Sequence, residues 1–337
     1  MLASQSCSGK GPIVSSAFRI KGLNALTRRG RRMHLSYATE KSYAGRAQSY
    51  IRALPKYPKE WTSKKTAEAF LTELAKRDVA ATTQNQALNA IAFLYKDVLG
   101  TPLGTVDALR VRRPATVREA LSVDEVRALL SAMPEVADAT ACLVGRLLYG
   151  CGLRVSEPLE LRIKDVDLDG ARLTIRSAKG NKDRVVPLPQ CVLGEMEAQL
   201  RVARAVLKSD AESGLPVAMP TLLAAKYPKA AMQEPWAWVF PAHAPSRHPR
   251  TGERIRWRLH EVTIQRAVRA AAAKAGIAVR VTPHVLRHSY ATHAHASGAP
   301  ARDLQEVLGH GKLETTMRYL KPSFGIQSPL DTLAAGR

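Results

Sequence analysis

Six polar side chains between residues 154 and 319 have the types and order that chemistry on a phosphate requires: Arg154, Lys179, His284, Arg287, His310 and Tyr319. Arginine forks match the non-bridging oxygens of a phosphate and stabilise the charge that develops during its transfer. A tyrosine hydroxyl can attack phosphorus to form a covalent intermediate, and a lysine can protonate the leaving oxygen. Each residue alone is more typical of an ion pair, a helix cap or core packing, so the inference depends on the whole set.

The sequence offers no convincing metal or nucleotide site. His284 and His288 have the i, i+4 spacing of two zinc ligands on one helical face, but Val285 stands where the HExxH pattern needs a glutamate. No cluster of Asp and Glu suggests a two-metal nuclease, and no GxxxxGK[ST] loop suggests a bound nucleotide. The sequence therefore predicts covalent chemistry without a metal or any other cofactor.

The charge of the chain indicates a polyanionic partner. Its 337 residues include 51 Lys and Arg against 29 Asp and Glu, a net charge of +22. Basic residues cluster at 1–39 and 243–280, which favours nucleic acid over a merely basic, solvated surface. No apolar run approaches the roughly 18 residues of a membrane span, and no apolar leader suggests secretion. The four cysteines show no disulfide spacing, so we expect reduced thiols in a cytoplasmic protein without membrane partners.

The elements that must position these residues fall into two parts. Residues 1–17 are rich in Ser and Gly without periodicity, which predicts a disordered tail. Residues 18–108 have helical periodicity, with helix starts near Ser36 and Thr62, and predict a small all-helical domain. Residues 109–120 are basic, lack an apolar face and contain a proline, which indicates a linker, although an ordinary surface loop fits equally well.

Residues 121–337 predict a second domain that is mainly helical with a small antiparallel β-sheet, an α+β fold. Ser122 and Glu125 have the spacing of a capping box, and Pro134 is expected to end the helix that follows. Apolar and polar residues alternate over 172–177 between two turn signals, which predicts hairpin strands. Helical patterns then recur at about 190–209, 261–275, 284–296, 300–308 and 312–320.

The six residues, in this order and at this spacing, resemble the signature of the tyrosine recombinases of the phage integrase family. The resemblance runs from about residue 20 to the end of the chain. It implies that 18–108 is a core-binding domain that contacts DNA and that 121–337 is the catalytic domain. The family also assembles on DNA, so the resemblance implies a tetramer of this chain on its recombination sites.

The resemblance further implies a role for each residue. Arg154 and Arg287 would hold the scissile phosphate, and Lys179 would protonate the leaving 5′ oxygen. His284 and His310 would bond the phosphate and assist proton transfer. Tyr319 would be the nucleophile, giving a 3′-phosphotyrosyl link. Two further residues would support the site, Glu157 as a structural acid and His288 as a packing or orienting residue.

His284 follows Lys179 by 105 positions, and the surplus within this span, at about 205–260, resembles an insertion that marks the integron integrases. That likeness implies folded single-stranded cassette hairpins as substrates, with the insert contacting their protruding bases. Trp236 and Trp238 could either stack on such bases or pack the insert onto its domain. The family's insert usually carries paired histidines where this chain has Arg256-Trp257-Arg258, and the segment after Tyr319 is a few residues short.

Candidate DNA-binding residues come from three basic segments: Arg28, Arg29, Arg31, Arg32, Arg112, Arg113, Arg256, Trp257 and Arg258. Two alternatives to the integron type remain open on the residues alone. One is a phage-type or resolvase-type recombinase acting on duplex sites. The other is a catalytically silent DNA-binding protein of the same fold.

Overall fold

A computed structural model describes residues 16–58, 60–77, 79–109, 119–178 and 182–309. The chain divides into two compact units between Val117 and Arg118, inside the segment predicted to be a linker. Residues 1–15 of the predicted tail lie outside the described ranges, and Ser16 and Ala17 already begin the first helix.

The first unit is helical throughout the ranges described. Its helices are α1 (Ser16–Arg32), α2 (Tyr37–Ala53), α3 (Ser63–Lys76) and α4 (Ala81–Phe93). The side chains of Ser36 and Thr62 cap α2 and α3 by accepting backbone N–H bonds, so these two predicted helix starts are confirmed. A π-helical turn over Leu94–Val98 continues α4.

The core of the first unit is centred on Tyr50, whose side chain is fully buried. Its ring packs edge-on against Phe70 at 5.4 Å, and its hydroxyl lies 3.1 Å from both Thr66 Oγ1 and Tyr95 Oη. A buried hydroxyl needs such partners, because an unpaired one would retain the cost of its lost hydration.

The segment that follows α4 is hydrogen-bonded to side chains of α3 and α4. The backbone N–H of Asp107 donates to Glu68, and that of Leu109 donates to Thr72. Buried Gln84 donates from Nε2 to the carbonyl of Leu109 at 2.5 Å. These bonds fix the point at which the chain leaves the first unit.

The second unit begins with α5 (Val123–Val136), α6 (Ala139–Gly150) and the short α7 (Ser156–Leu159). The predicted capping box is confirmed, because the Ser122 and Glu125 side chains each accept the other's backbone N–H. The prediction that Pro134 ends α5 is wrong, since the helix continues to Val136. A proline this close to the end of a helix disturbs only the last turn, so two more residues keep their helical conformation.

The predicted small sheet is confirmed as three antiparallel strands in sequence order: β1 (Val166–Asp167), β2 (Arg172–Ala178) and β3 (Lys182–Pro187). Leu173 pairs with Val186, and both are buried. The alternation read from the sequence therefore gives the correct inner face of the hairpin.

Five α-helices follow the sheet within the residues that the structure describes: α8 (Leu193–Glu212), α9 (Thr221–Lys226), α10 (Glu261–Lys274), α11 (Pro283–Ala296) and α12 (Ala301–Leu308). Between α9 and α10 the chain forms a two-stranded ribbon, β4 (Ser246–Arg247) and β5 (Arg254–Ile255), which the sequence did not predict. None of the described helices is long and apolar enough to cross a membrane. Within the described ranges, no group of three or more His, Cys, Asp and Glu side chains is placed to hold a metal ion.

Candidate active site

Arg154 and Arg287 come from distant parts of the sequence and meet around the turn between α6 and α7. Arg287, on α11, donates from Nη1 to the carbonyl of Gly152 at 2.8 Å, and its side chain is only 3% exposed. Gly152 has φ +61°, and a Cβ at this position would lie 2.3 Å from the ring of Tyr290. A glycine is therefore needed for the turn to approach α11 this closely.

The end of α12 holds three arginines through three consecutive carbonyls. The carbonyl of Val307 accepts from Arg184 Nε at 2.7 Å, and that of Leu308 accepts from Arg287 Nη2 at 2.6 Å. The carbonyl of Gly309 accepts from Arg154 Nη2 at 3.1 Å. The last carbonyls of a helix have no partner within the helix and carry partial negative charge, so guanidinium groups suit them.

The carboxylate of Glu157 lies between the same three arginines and is buried. Arg154 donates to it twice, from its backbone N–H at 2.8 Å and from Nη1 at 2.7 Å. Arg184 forms a two-bond fork with it at 3.0 and 2.7 Å, and Arg287 Nη1 lies 3.6 Å from its Oε2. Burial acts to raise the pKa of Glu157, but the bonds and charges of Arg184 and Arg154 outweigh it and hold the pKa below its ordinary value.

The N-terminal half of α11 carries two of the three predicted histidines, His284 and His288. Pro283 occupies the first helical position, where its missing N–H costs nothing. His284 is exposed, whereas His288, one turn later, is buried. Lys179, His310 and Tyr319 lie outside the described residues. Among the predicted residues, the structure thus brings Arg154, Arg287 and Glu157 into one cluster.

Sequence reasoning missed Arg184, which binds both Glu157 and the end of α12. A signal for it exists, because Arg184 shares its side of β3 with Val186, which is buried. An arginine on the inner face of a strand must find buried partners, since an isolated buried charge is very costly.

The residues predicted to bind DNA have different surroundings. The side chains of Arg28, Arg29, Arg31 and Arg32 are exposed on α1, and Arg31 also pairs with Glu40 at 3.3 Å. Arg112 and Arg113 lie outside the described residues.

Arg256 is the exception, and its predicted contact with DNA does not fit the structure. Its guanidinium forms a two-bond fork with buried Asp210 at 2.7 and 2.6 Å and donates to the carbonyl of Ala242 at 2.9 Å. These donors hold the insert together and do not face solvent. Its neighbour Arg258 pairs with Glu160 at 3.2 Å, and Trp257 packs on the small apolar cluster of the insert.

Two family models match consecutive parts of the chain. The model of the phage integrase family matches residues 119–325, and the model of the phage integrase N-terminal SAM-like domain matches residues 23–105. The chain belongs to the phage integrase family. Its mainly helical architecture with a small antiparallel sheet, predicted from the sequence, is confirmed as the fold of this family.

Curated members of the phage integrase family support this assignment over nearly the whole chain. An integrase/recombinase of Escherichia coli is 39% identical over 321 residues, covering 93% of this chain and 94% of that protein. The tyrosine recombinase XerA of Pyrococcus furiosus is 30% identical and covers 85% of this chain and 87% of its own length.

Solved structures show the same fold. A lambda integrase dimer bound to a COC′ core site has a TM-score of 0.60 at 17% identity, with 92% of this chain and 97% of that chain covered. The XerH recombinase bound to its difH substrate has a TM-score of 0.58 at 18% identity, with 96% of this chain and 85% of that chain covered. The family model and the curated relatives together show that the chain is a tyrosine recombinase, an enzyme of the class that cuts and rejoins DNA strands.

Proposed function

We propose that this chain is a site-specific recombinase of the integron-integrase type, which inserts and excises gene cassettes through a 3′-phosphotyrosyl intermediate. Its substrate is DNA, on which four copies assemble. No metal or cofactor takes part. The proposal assigns chemical roles to six residues: Arg154, Lys179, His284, Arg287, His310 and Tyr319.

The observation that carries this proposal is the pairing of Arg154 and Arg287 on shared supports. Both side chains contact Glu157 and both donate to the end of α12, so their guanidinium groups are held in fixed positions. Preorganised positive charge of this kind stabilises a phosphoryl-transfer transition state more than it stabilises the ground state. A DNA phosphate is the substrate group that two adjacent guanidinium groups suit.

The proposed reaction conserves the energy of the phosphodiester. The phenol oxygen of Tyr319 attacks phosphorus and loses its proton to the imidazole of His284 or His310. The bond between phosphorus and the 5′ oxygen breaks, and Lys179 protonates that oxygen. A 5′ hydroxyl from another strand then attacks the phosphorus of the phosphotyrosyl link and gives its proton to Lys179. The bond between phosphorus and the phenol oxygen breaks, Tyr319 recovers its proton from the imidazole, and the DNA is rejoined.

A cleft in the insert supports the integron type. It is lined by Lys226, Tyr227, Lys229, Gln233 and Trp236. The side chain of Tyr227 is half exposed. The Nζ atom of Lys164 lies 2.9 Å from the centroid of the Trp236 ring. Aromatic faces flanked by lysines suit an unpaired base and its phosphate. Trp238, by contrast, is buried beneath Arg162 at 3.1 Å, so it packs the insert onto the domain.

The central test is covalent capture on a nicked suicide substrate. We expect the unaltered chain to form a DNA adduct that survives denaturant, without added metal or nucleotide. Tyr319→Phe removes one oxygen and should form no adduct, while its DNA affinity stays the same. Tyr37→Phe, at an exposed tyrosine of the first unit, is the matched control and should retain full capture. Adduct formation by Tyr319→Phe, or DNA mapped to another residue, would overturn the mechanism.

A further inference from the structure

Arg184 connects the parts of the site that the proposed chemistry must keep in register. Its Nη atoms bind both oxygens of Glu157, and its Nε binds the carbonyl of Val307. It therefore links β3, α7 and α12 through one planar group. Its side chain is only 10% exposed, so these bonds form in a largely dry environment.

The partners of Arg184 are also the supports of the other two arginines. The carboxylate of Glu157 also contacts Arg154 and Arg287. The carbonyl of Leu308 accepts a hydrogen bond from Arg287, and that of Gly309 accepts one from Arg154. A displacement of either partner would move both guanidinium groups together. A shift of about 1 Å at a reacting centre can lower a rate by roughly 100-fold.

We propose that Arg184 is a positioning residue for strand cleavage, which locks Glu157 and the end of α12 so that Arg154 and Arg287 stay aligned on the scissile phosphate. This inference rests on the proposed function. Arg184 acts through its neighbours, because its bonds to Glu157 and Val307 direct the guanidinium into the protein.

The role of Arg184 requires the forked shape of a guanidinium as well as its charge. A lysine would keep the charge, but it offers a single ammonium and cannot hold Glu157 by two bonds while also reaching Val307. The space around Arg184 is equally limited. A Cβ at Gly309, where φ is +61°, would lie 3.0 Å from Arg184 Nη1. Glycine at position 309 thus lets the end of α12 approach the arginine.

The test compares Arg184→Met and Arg184→Lys with Arg172→Met as the matched control. Arg172 lies on the adjacent strand β2 and also pairs with a carboxylate, Asp167, but it is exposed. Three quantities are measured for each variant: the single-turnover rate of adduct formation at saturating DNA, the Kd for the same DNA, and the melting temperature.

We expect Arg184→Met to slow adduct formation by roughly 100-fold while its Kd changes by less than about threefold. Arg184→Lys should be slowed by about tenfold or more, because restoring the charge does not restore the fork. Arg172→Met should match the unaltered chain in rate and Kd. Combining Arg184→Met with Glu157→Gln should slow the reaction no more than the slower single variant, since both act through one contact.

Three results would overturn the inference. One is an adduct rate for Arg184→Met within threefold of the Arg172→Met control. Another is a loss that lies in Kd alone, and the third is full additivity with Glu157→Gln. If Arg184→Met does not fold, Arg184→Lys and Gly309→Ala provide the same comparison. A failure of the unaltered chain to form any adduct would instead refute the proposed function.

Discussion

The positions of the Arg154 and Arg287 guanidinium groups depend on Glu157, because its single buried carboxylate contacts both of them and Arg184 as well. Replacement of Glu157 by glutamine keeps the shape of the side chain but removes the charge. We expect Glu157→Gln to lower the free energy of unfolding by about 3 kcal/mol at neutral pH, since it leaves buried arginines without their counterion. Urea denaturation followed by circular dichroism measures this loss. A change below about 0.5 kcal/mol would contradict the role assigned to Glu157.

The stability contributed by the Glu157 carboxylate should also depend on pH in a predictable direction. The pKa of folded Glu157 lies below its ordinary value of about 4.5, so its contribution to stability is fully present above that pH. The contribution falls as the pH decreases below about 4.5 and the carboxylate takes up a proton. The stability difference between the unaltered chain and Glu157→Gln should therefore be constant from pH 7 to 6 and shrink below pH 4.5.

The sequence predicts several individual residues of the site, but not the contacts that hold them in position. Arg154 and Arg287 are predictable because their types and order suit phosphate chemistry. Arg184 was missed because its partners, Glu157 and the end of α12, become neighbours only when the hairpin folds onto them. The basic segment around Arg256 predicts a contact with DNA, but the sequence does not show its buried partner Asp210, which lies 46 residues away.

At the scale of elements, local patterns predict the helices better than the insert. Caps and apolar periodicity mark the starts of α2, α3 and α5, since these signals act within a few residues. The ribbon of β4 and β5 has only two residues per strand, too few for alternation to appear. The insert is stabilised instead by the Asp210–Arg256 fork and by Arg162 stacked over Trp238, contacts that the sequence does not reveal.

Trp236, which lines the cleft of the insert, should matter more for folded hairpin substrates than for duplex DNA. Trp236→Ala should reduce adduct formation on a folded hairpin with protruding bases by about 10-fold or more, because base stacking on an aromatic ring contributes about 1–3 kcal/mol. The same variant should cleave a fully paired duplex site at the unaltered rate. Tyr227→Phe keeps its ring and serves as the control, with near-normal activity on both substrates. Equal losses on hairpin and duplex would mean that Trp236 only packs the insert and would favour a recombinase of duplex sites.

At the scale of the whole molecule, charge is the property that the sequence predicts most directly. A net charge of +22 follows from composition alone, but the structure decides which cations are available to a polyanion. Three arginines of α1 are exposed: Arg28, Arg29 and Arg32. Arg256, by contrast, forms an ion pair with the buried carboxylate of Asp210. Two arginines of equal charge can therefore contribute very differently to the binding of DNA.

This difference can be measured as a salt dependence. For duplex DNA, the logarithm of the binding constant should fall linearly with the logarithm of salt concentration, with a slope of about −0.9 for each phosphate neutralised. Replacing Arg28, Arg29 and Arg32 together by glutamine should make that slope shallower by up to about 2.7, if each contacts one phosphate. The loss of affinity should be similar for specific and unrelated sequences, because phosphate contacts do not read bases.

The control for this experiment removes a buried arginine instead. Combining Arg256→Gln with Asp210→Asn removes both charges of the internal pair, so the net charge of the chain does not change. We expect this double variant to have a lower melting temperature and an unaltered salt slope, since the guanidinium of Arg256 is occupied by Asp210 and by backbone carbonyls. A shallower salt dependence of DNA binding in the double variant would show that Arg256 contacts DNA phosphates. A slope that does not change in the α1 variant would show that this helix makes no phosphate contacts.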